Sequence, residues 1–252
     1  MTMAENIVMP ELTWTEVDAV LKDRPIALLP VGATEAHGPH LPLATDTLIA
    51  QALAVRGAAK LKENGVTCLI LPPVAFTVAE FGADFAGTLS ITPETSVALL
   101  RDICMSAGKR FRAVALVNIH LEPKHVECVK KAVEEAKKAG VNACHVDITK
   151  KRWVDTLGEA FKAGDHAGAF ETSLMMALAP QLVRDHERIS LPPLDGLVAA
   201  IKKGATTFAA AGGEDAYFGD PGAASAEEGE THFEALAAIV SLSVLEALGS
   251  KA

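Results

Sequence analysis

Four short, almost uninterrupted apolar runs constrain this chain more than any other feature: PIALLPVG (25–32), TCLILPPV (67–74), AVALVNI (113–119) and ACHVDI (143–148). Runs of this length without polar alternation fit strands covered on both faces rather than strands with one wet side. Longer stretches with helical spacing separate them. DTLIAQALAVRGAAKLKENG (46–65) ends on a glycine stop signal, and TPETSVALLRDICMSAGKRF (92–111) opens with Thr92 as candidate N-cap and Pro93 at the first helical position. In 123–140, Val126, Val129, Val133 and Ala136 share one face before Gly140 closes the helix. The alternation predicts βαβ units and an α/β fold, a mainly parallel central sheet sandwiched by helices. A looser stretch, 212–230, reads as a loop leading into a last helix with Phe233, Leu236, Val240 and Val244 on one side. No repeat, low-complexity segment or long linker divides the 252 residues, so one domain over 1–252 is expected.

Composition narrows the partners. Half the residues are hydrophobic but only 5% are aromatic, so Ala, Val, Leu and Ile must build the core. A net charge of −9, with basic residues interleaved with acids as in KKAVEEAKKAG, speaks against a nucleic-acid partner. MTMAENIVMP lacks the pattern of a targeting segment, and runs such as TCLILPPVAFTVA are too short and proline-broken to span a bilayer. Cys68, Cys104, Cys128 and Cys144 form no CxxC pair and read as reduced thiols of a cytoplasmic protein.

In parallel sheets, ligands bind beyond the carboxyl ends of the strands. GATEAHGPHLPLATD (32–46) follows the first predicted strand and carries Glu35, His37, His40 and Asp46; NIHLEPKH ends the third and carries His120 and Glu122. Glu35 and His37, and again His120 and Glu122, stand at i and i+2, so in extended chain each pair projects to one side. With Asp46 as a natural bridge, these five residues suit two divalent ions, Zn²⁺ or Mn²⁺. The plainer readings are a capping or surface histidine in a Pro-Gly loop and a helix N-cap at Asp46. His40, between Pro39 and Pro42, reads as a turn or supporting residue. GDHAGAFETS (164–173) leaves two readings open: His166 placed to reach a reacting group, or a capping loop with Glu171 on a solvated face. Nucleophilic alternatives are poor. Ser90 and Ser173 lie in no Gly-x-Ser-x-Gly elbow, Cys144–His145 falls inside a predicted strand, and no Gly-rich phosphate loop occurs.

With these residues in view, the chain resembles the creatininase (creatinine amidohydrolase) family. The matching stretches are PVGATEAHGPHLPLATD, FGADFAGTLS, GDHAGAFETS and GDPGAASAEEG, in the family's order from about residue 25 to 235. The resemblance implies a three-layer α/β/α sandwich and a binuclear metal centre. The implied reaction is hydrolysis of a non-peptide, cyclic carbon–nitrogen amide bond by a metal-bridging hydroxide. It implies that Glu35, Asp46 and His120 hold one ion and His37, Asp46 and Glu122 the other, that His166 moves protons, and that Glu171 orients His166. Ser90, Leu121, Lys124 and Asp165 become candidate substrate contacts, and a homo-oligomer, commonly a hexamer, is implied. A deformylase or open-chain amidase, a ring ketone or lactone hydrolase, and a metal-bound but inert assembly subunit are the competing readings. Three departures bear on the substrate. NIHLEP replaces the Asn-Gly-His-Gly-Gly-Asn of many members, so that Ile119, Leu121 and Pro123 alter the pocket wall. Phe161 and Lys162 stand near where creatininase itself carries a tryptophan, with Trp153 farther back. Lys124 and His125, after the ligand pair, favour an anionic substrate group.

Overall fold

The apolar runs pair as four parallel strands, β1 (Ile26–Val31), β2 (Cys68–Ile70), β3 (Ala113–Asn118) and β4 (Ala143–Val146), in the order β2-β1-β3-β4. This is a computed structural model that describes residues 7–249; residues 1–6, which begin the stretch read for a targeting signal, lie outside the described residues, as do 250–252. β2 is shorter than its apolar run. Leu71 and Val74 still donate to the carbonyls of Leu28 and Pro30, but Pro72 and Pro73 between them have no N–H to offer.

Alternate side chains of each strand feed opposite layers. Ile26 and Leu28 of β1, with Ala115 and Val117 of β3, pack against α2 (Thr45–Glu63), α7 (Ala169–Leu178) and α10 (Ala226–Ala247). Ala27, Leu29, Val114 and Leu116 pack against α3 (Pro93–Ala107) and α4 (Pro123–Lys138). The arrangement is the expected α/β/α sandwich. α1 (Trp14–Leu21) precedes β1, and four short helices lie between β4 and α10: α5 (Lys151–Val154), α6 (Gly158–Ala163), α8 (Asp185–Arg188) and α9 (Leu197–Lys202), with α7 between the second and third of them. The last helix starts at Ala226, inside the stretch expected to be loop, and its predicted apolar side is buried throughout. On α4 the buried face runs through His125, Cys128, Val129, Ala132, Val133 and Ala136; Val126, expected on that face, is only half-buried.

Two glycines let elements touch backbone to backbone. A Cβ on Gly32, just past β1, would lie 2.5 Å from the Thr47 nitrogen, so the first turn of α2 rests directly on the strand's end. A Cβ on Gly229 of α10 would run into the Ser173 carbonyl of α7, whose hydroxyl takes the Ser225 N–H at 3.1 Å. The order 2-1-3-4 reverses direction between β1 and β3, which makes the crevice beyond their carboxyl ends the natural ligand site. The four cysteines are free, and among the described residues no helix is long and apolar enough to cross a membrane.

Candidate metal centre

Both sequence clusters arrive at that crevice. Glu35 and His37 leave β1, His120 and Glu122 leave β3, Asp46 comes from the first turn of α2 and Glu171 from the first turn of α7; all six are buried. Asp46 is not the N-cap of its helix, since Ala44 holds that place without a side-chain cap, and its carboxylate turns to the cluster instead.

Each of three imidazoles is fixed by one nitrogen and open at the other. A carbonyl oxygen can only accept, so the nitrogen facing it carries the hydrogen. His37 Nδ1 donates to the Glu35 carbonyl at 3.1 Å, His120 Nε2 to Val78 at 2.8 Å and His166 Nε2 to Ala36 at 3.0 Å. The remaining nitrogens face carboxylates. His37 Nε2 lies 3.2 Å from Asp46 Oδ1 and 3.8 Å from Glu171 Oε2; His120 Nδ1 lies 3.0 Å from Asp46 Oδ2 and 3.1 Å from Glu35 Oε1; His166 Nδ1 lies 4.0 Å from Glu35 Oε1. Backbone tethering of the far nitrogen is the arrangement that orients histidine ligands on a metal. Glu35 Oε2 and Asp46 Oδ2 are buried without a hydrogen bond of good geometry, and a buried carboxylate oxygen left so is costly unless a cation meets it. The donor set fits divalent zinc or manganese. Three groups could each share an ion: Glu35–His120–Glu122, His37–Asp46–Glu171 and Glu35–His37–His166.

With protons alone to balance these carboxylates, His37 and His120 charge. Burial works against a charged His37, yet Asp46, with Glu171 and Glu35 behind it, lifts its pKa to about 10. Burial likewise opposes charge on His120, and Glu35 and Asp46 overcome it, holding His120 well above its ordinary value. Burial would raise Asp46 and Glu35, but His37 and His120 draw Asp46 far down and His120 draws Glu35 below the usual carboxylate range. Glu171 goes the other way: burial lifts it to about 8. Burial, helped by His37, presses His166 down to about 4, so it is neutral at physiological pH.

Several expected roles change. Glu122 groups with Glu35 and His120 rather than with His37, and Glu171 takes the place beside His37. Glu171 does not orient His166. Its Oε2 accepts the Ala167 N–H at 2.6 Å, while His166 is held by the Ala36 carbonyl and stacked on Phe208, ring centroids 4.1 Å apart. Between them, Ala167 sits at φ 52, a left-handed conformation that costs a residue with a Cβ roughly 1–2 kcal/mol. His40 is buried and bonded to Thr172 at 3.0 Å, a support behind the loop. Asn118 ties to the His120 carbonyl and to His125 Nε2, whose ring packs on His120.

A cleft of about 410 Å³ opens over the cluster, lined by Leu121, Phe161, Lys162 and Asp165 among others. Of the four candidate substrate contacts, Leu121 presents itself to a ligand. Asp165 reaches the cleft, but its carboxylate is taken by the N–H groups of Gly168 and Phe170 at the start of α7. Ser90 braces a loop, accepting from Ala79 and donating to Glu80 at 2.6 Å, and does not line the cleft. Lys124 pairs with Glu127 on the outer face of α4. Phe81, the first residue of FGADFAGTLS, also lines the cleft, and sequence reasoning missed Phe208, Leu197, Val198, Ile201 and Lys202, which complete the wall. They belong to no motif, and the six residues of α9 are too few to show a period.

A family model described as creatinine amidohydrolase matches residues 10–242. A mycofactocin precursor peptide peptidase of Mycobacterium ulcerans (strain Agy99) is 34% identical over 221 residues, 83% of this chain and 80% of that protein. A creatinine amidohydrolase of Pseudomonas putida is 31% identical over 217 residues, 77% of this chain and 82% of that protein. The solved structure of a mutant creatininase of Zn–Zn type matches with a TM-score of 0.72 and 25% identity, covering 96% of this chain and 98% of that one.

Proposed function

The chain belongs to the creatininase family of amidohydrolases, and from that premise we propose that it is a two-metal hydrolase of a small, cyclic, non-peptide amide. One observation carries the reading: three backbone-tethered imidazoles aim their free nitrogens at buried carboxylates, and Asp46 offers one oxygen to the His37 side and the other to the His120 side. Glu35, Asp46, His120 and Glu122 would hold one ion, and His37, Asp46 and Glu171 the other. Bound divalent ions supply such a site with Lewis acidity and with hydroxide near neutral pH.

The protein's own groups do the rest. His166, kept neutral by burial, turns its Nδ1 lone pair toward the cluster, where it accepts a proton from the attacking water and returns it to the leaving nitrogen. The Ala36 carbonyl and the Phe208 ring hold that imidazole in place. Phe81 and Phe208 exclude bulk water from the reacting bond, which strengthens every charge interaction there. A cleft of about 410 Å³ is sized for a small molecule.

A second reading, cleavage of a peptide bond, is favoured by the higher identity to the relative described as a peptidase. A panel of cyclic imides and lactams, N-formyl amines and short peptides, assayed with and without chelator, decides. Chelator-sensitive ring opening with no second product supports the first reading, and release of two peptide fragments replaces it with the second. Sedimentation equilibrium checks the homo-oligomer that we propose for the active form.

A further inference from the structure

The cleft wall carries information about the substrate that the cluster beneath it does not. Next to the reacting groups, Phe208 covers His166 and Phe81 packs 5.7 Å from Phe208, with the Phe81 N–H bonded to Glu122 at 3.1 Å. Farther out, Leu197, Val198 and Ile201 line the cleft from α9, at i, i+1 and i+4 and hence on one side of that helix. Leu121 faces the cleft from the β3 end and is 37% exposed, and Val198 is 39% exposed, so apolar surface awaits a ligand. Unpaired charge on the wall has one sign. Lys162 is matched by Glu159 at 2.8 Å and Asp155 at 3.0 Å, whereas Lys202 has no ion-pair partner among the described residues. Apart from the cluster itself, the one lining carboxylate is Asp165, already committed to backbone N–H groups. A cationic ligand therefore finds no free counter-charge on the wall, and an anionic one finds Lys202.

We propose that the substrate is an amide with a bulky apolar group, aryl or branched alkyl, beside the scissile bond and an anionic group at its outer end that meets Lys202. This rests on the hydrolase reading above. It moves the expected anion contact from Lys124, which faces solvent, to a lysine on the other side of the cleft.

Hydroxamates anchor on divalent ions, so a series with a common anchor reports on the wall alone. The protein loaded with Zn²⁺ or Mn²⁺ is titrated calorimetrically with acetohydroxamate, 3-phenylpropanohydroxamate, its 4-carboxyphenyl derivative and the neutral 4-carboxamide twin. The aryl compound should bind about tenfold or more tighter than acetohydroxamate, as burial of a ring requires. The carboxylate should exceed the carboxamide by roughly threefold, the size expected of an exposed ion pair, and Lys202→Gln should erase that difference while leaving metal content unchanged. Ile201→Ala should weaken the aryl compounds and not acetohydroxamate. Equal affinity across the series, or a carboxylate no better than its twin, overturns the proposal while metal content and acetohydroxamate binding keep the hydrolase reading intact. Failure of the protein to take up metal overturns both.

Discussion

Among the helices of eight residues or more, those that begin away from the cleft and those that begin at it start differently. α1, α3 and α10 each have a side chain folded over the first turn: Thr13 accepts the Glu16 N–H, Thr92 that of Thr95 and Ser225 that of Glu228. α2 and α4, which start at the cleft, have Ala44 and Glu122 at the corresponding place and no side-chain cap. α7 has its first N–H groups served from upstream by Asp165, and Glu171, whose Oε2 accepts the Ala167 N–H, faces His37 with that same oxygen. An acid in the first turn ordinarily serves its own helix, through the cap or the macrodipole. Here Asp46 and Glu171 in their first turns, and Glu122 at the N-cap position, are turned to the centre. The contrast separates side chains that cap their own helix from side chains that face the cluster.

The comparison can be broken most sharply at Asp46. Asp46→Ala should abolish metal uptake, and turnover should fall below detection with it, while far-ultraviolet circular dichroism stays that of the folded chain; retained stoichiometric metal in elemental analysis would end the reading. Next in size is pH. With protons alone at the centre His37 titrates at about 10, and His120 also lies well above its ordinary value, so an incoming cation must displace protons that the site otherwise keeps. Metal affinity should therefore rise with pH from 6 to 9, and calorimetry in buffers of different ionisation heat should show net proton release; a flat profile would contradict the assigned ligands. Gly32→Val tests the join between β1 and α2. The new side chain meets the backbone of Asp46 and Thr47, so a loss of about 1–3 kcal/mol in denaturant unfolding is expected, with weaker metal binding as a second effect. The smallest effect belongs to the ordinary helices: Thr92→Ala should cost about 1 kcal/mol of stability and leave metal content and activity alone. Were Thr92→Ala to lower metal affinity as Gly32→Val does, the separation of the two helix classes would be lost.

Much of this was legible in the chain. β1 and β3 lie within a residue or two of their apolar runs because strands buried on both faces leave an unbroken hydrophobic signature. Thr92 with Pro93, and Gly140 at φ 89, mark helix ends through local chemistry that needs no tertiary context. The i, i+2 pairs reached the crevice because a strand's exit fixes where its next few side chains point. What stayed hidden depends on contacts across long separations. Nothing near Phe208 signals that it will cover His166, 42 positions earlier in the chain. Nothing around Lys124 reveals that α4 turns it outward to Glu127 while α9 brings Lys202 to the cleft. That Glu122 gathers with Glu35 and His120 while Glu171 gathers with His37 and Asp46 is equally invisible, since it rests on how α7 docks.

That docking hinges on a position no ligand touches. Gly229 lets α10 lie against the Ser173 carbonyl, two residues beyond Glu171, and even one methyl there would wedge the two helices apart. Random mutagenesis scored for lost turnover should thus recover lesions at codon 229 alongside those in the acids and imidazoles, and a map drawn from sequence distance would misfile them as unrelated to chemistry.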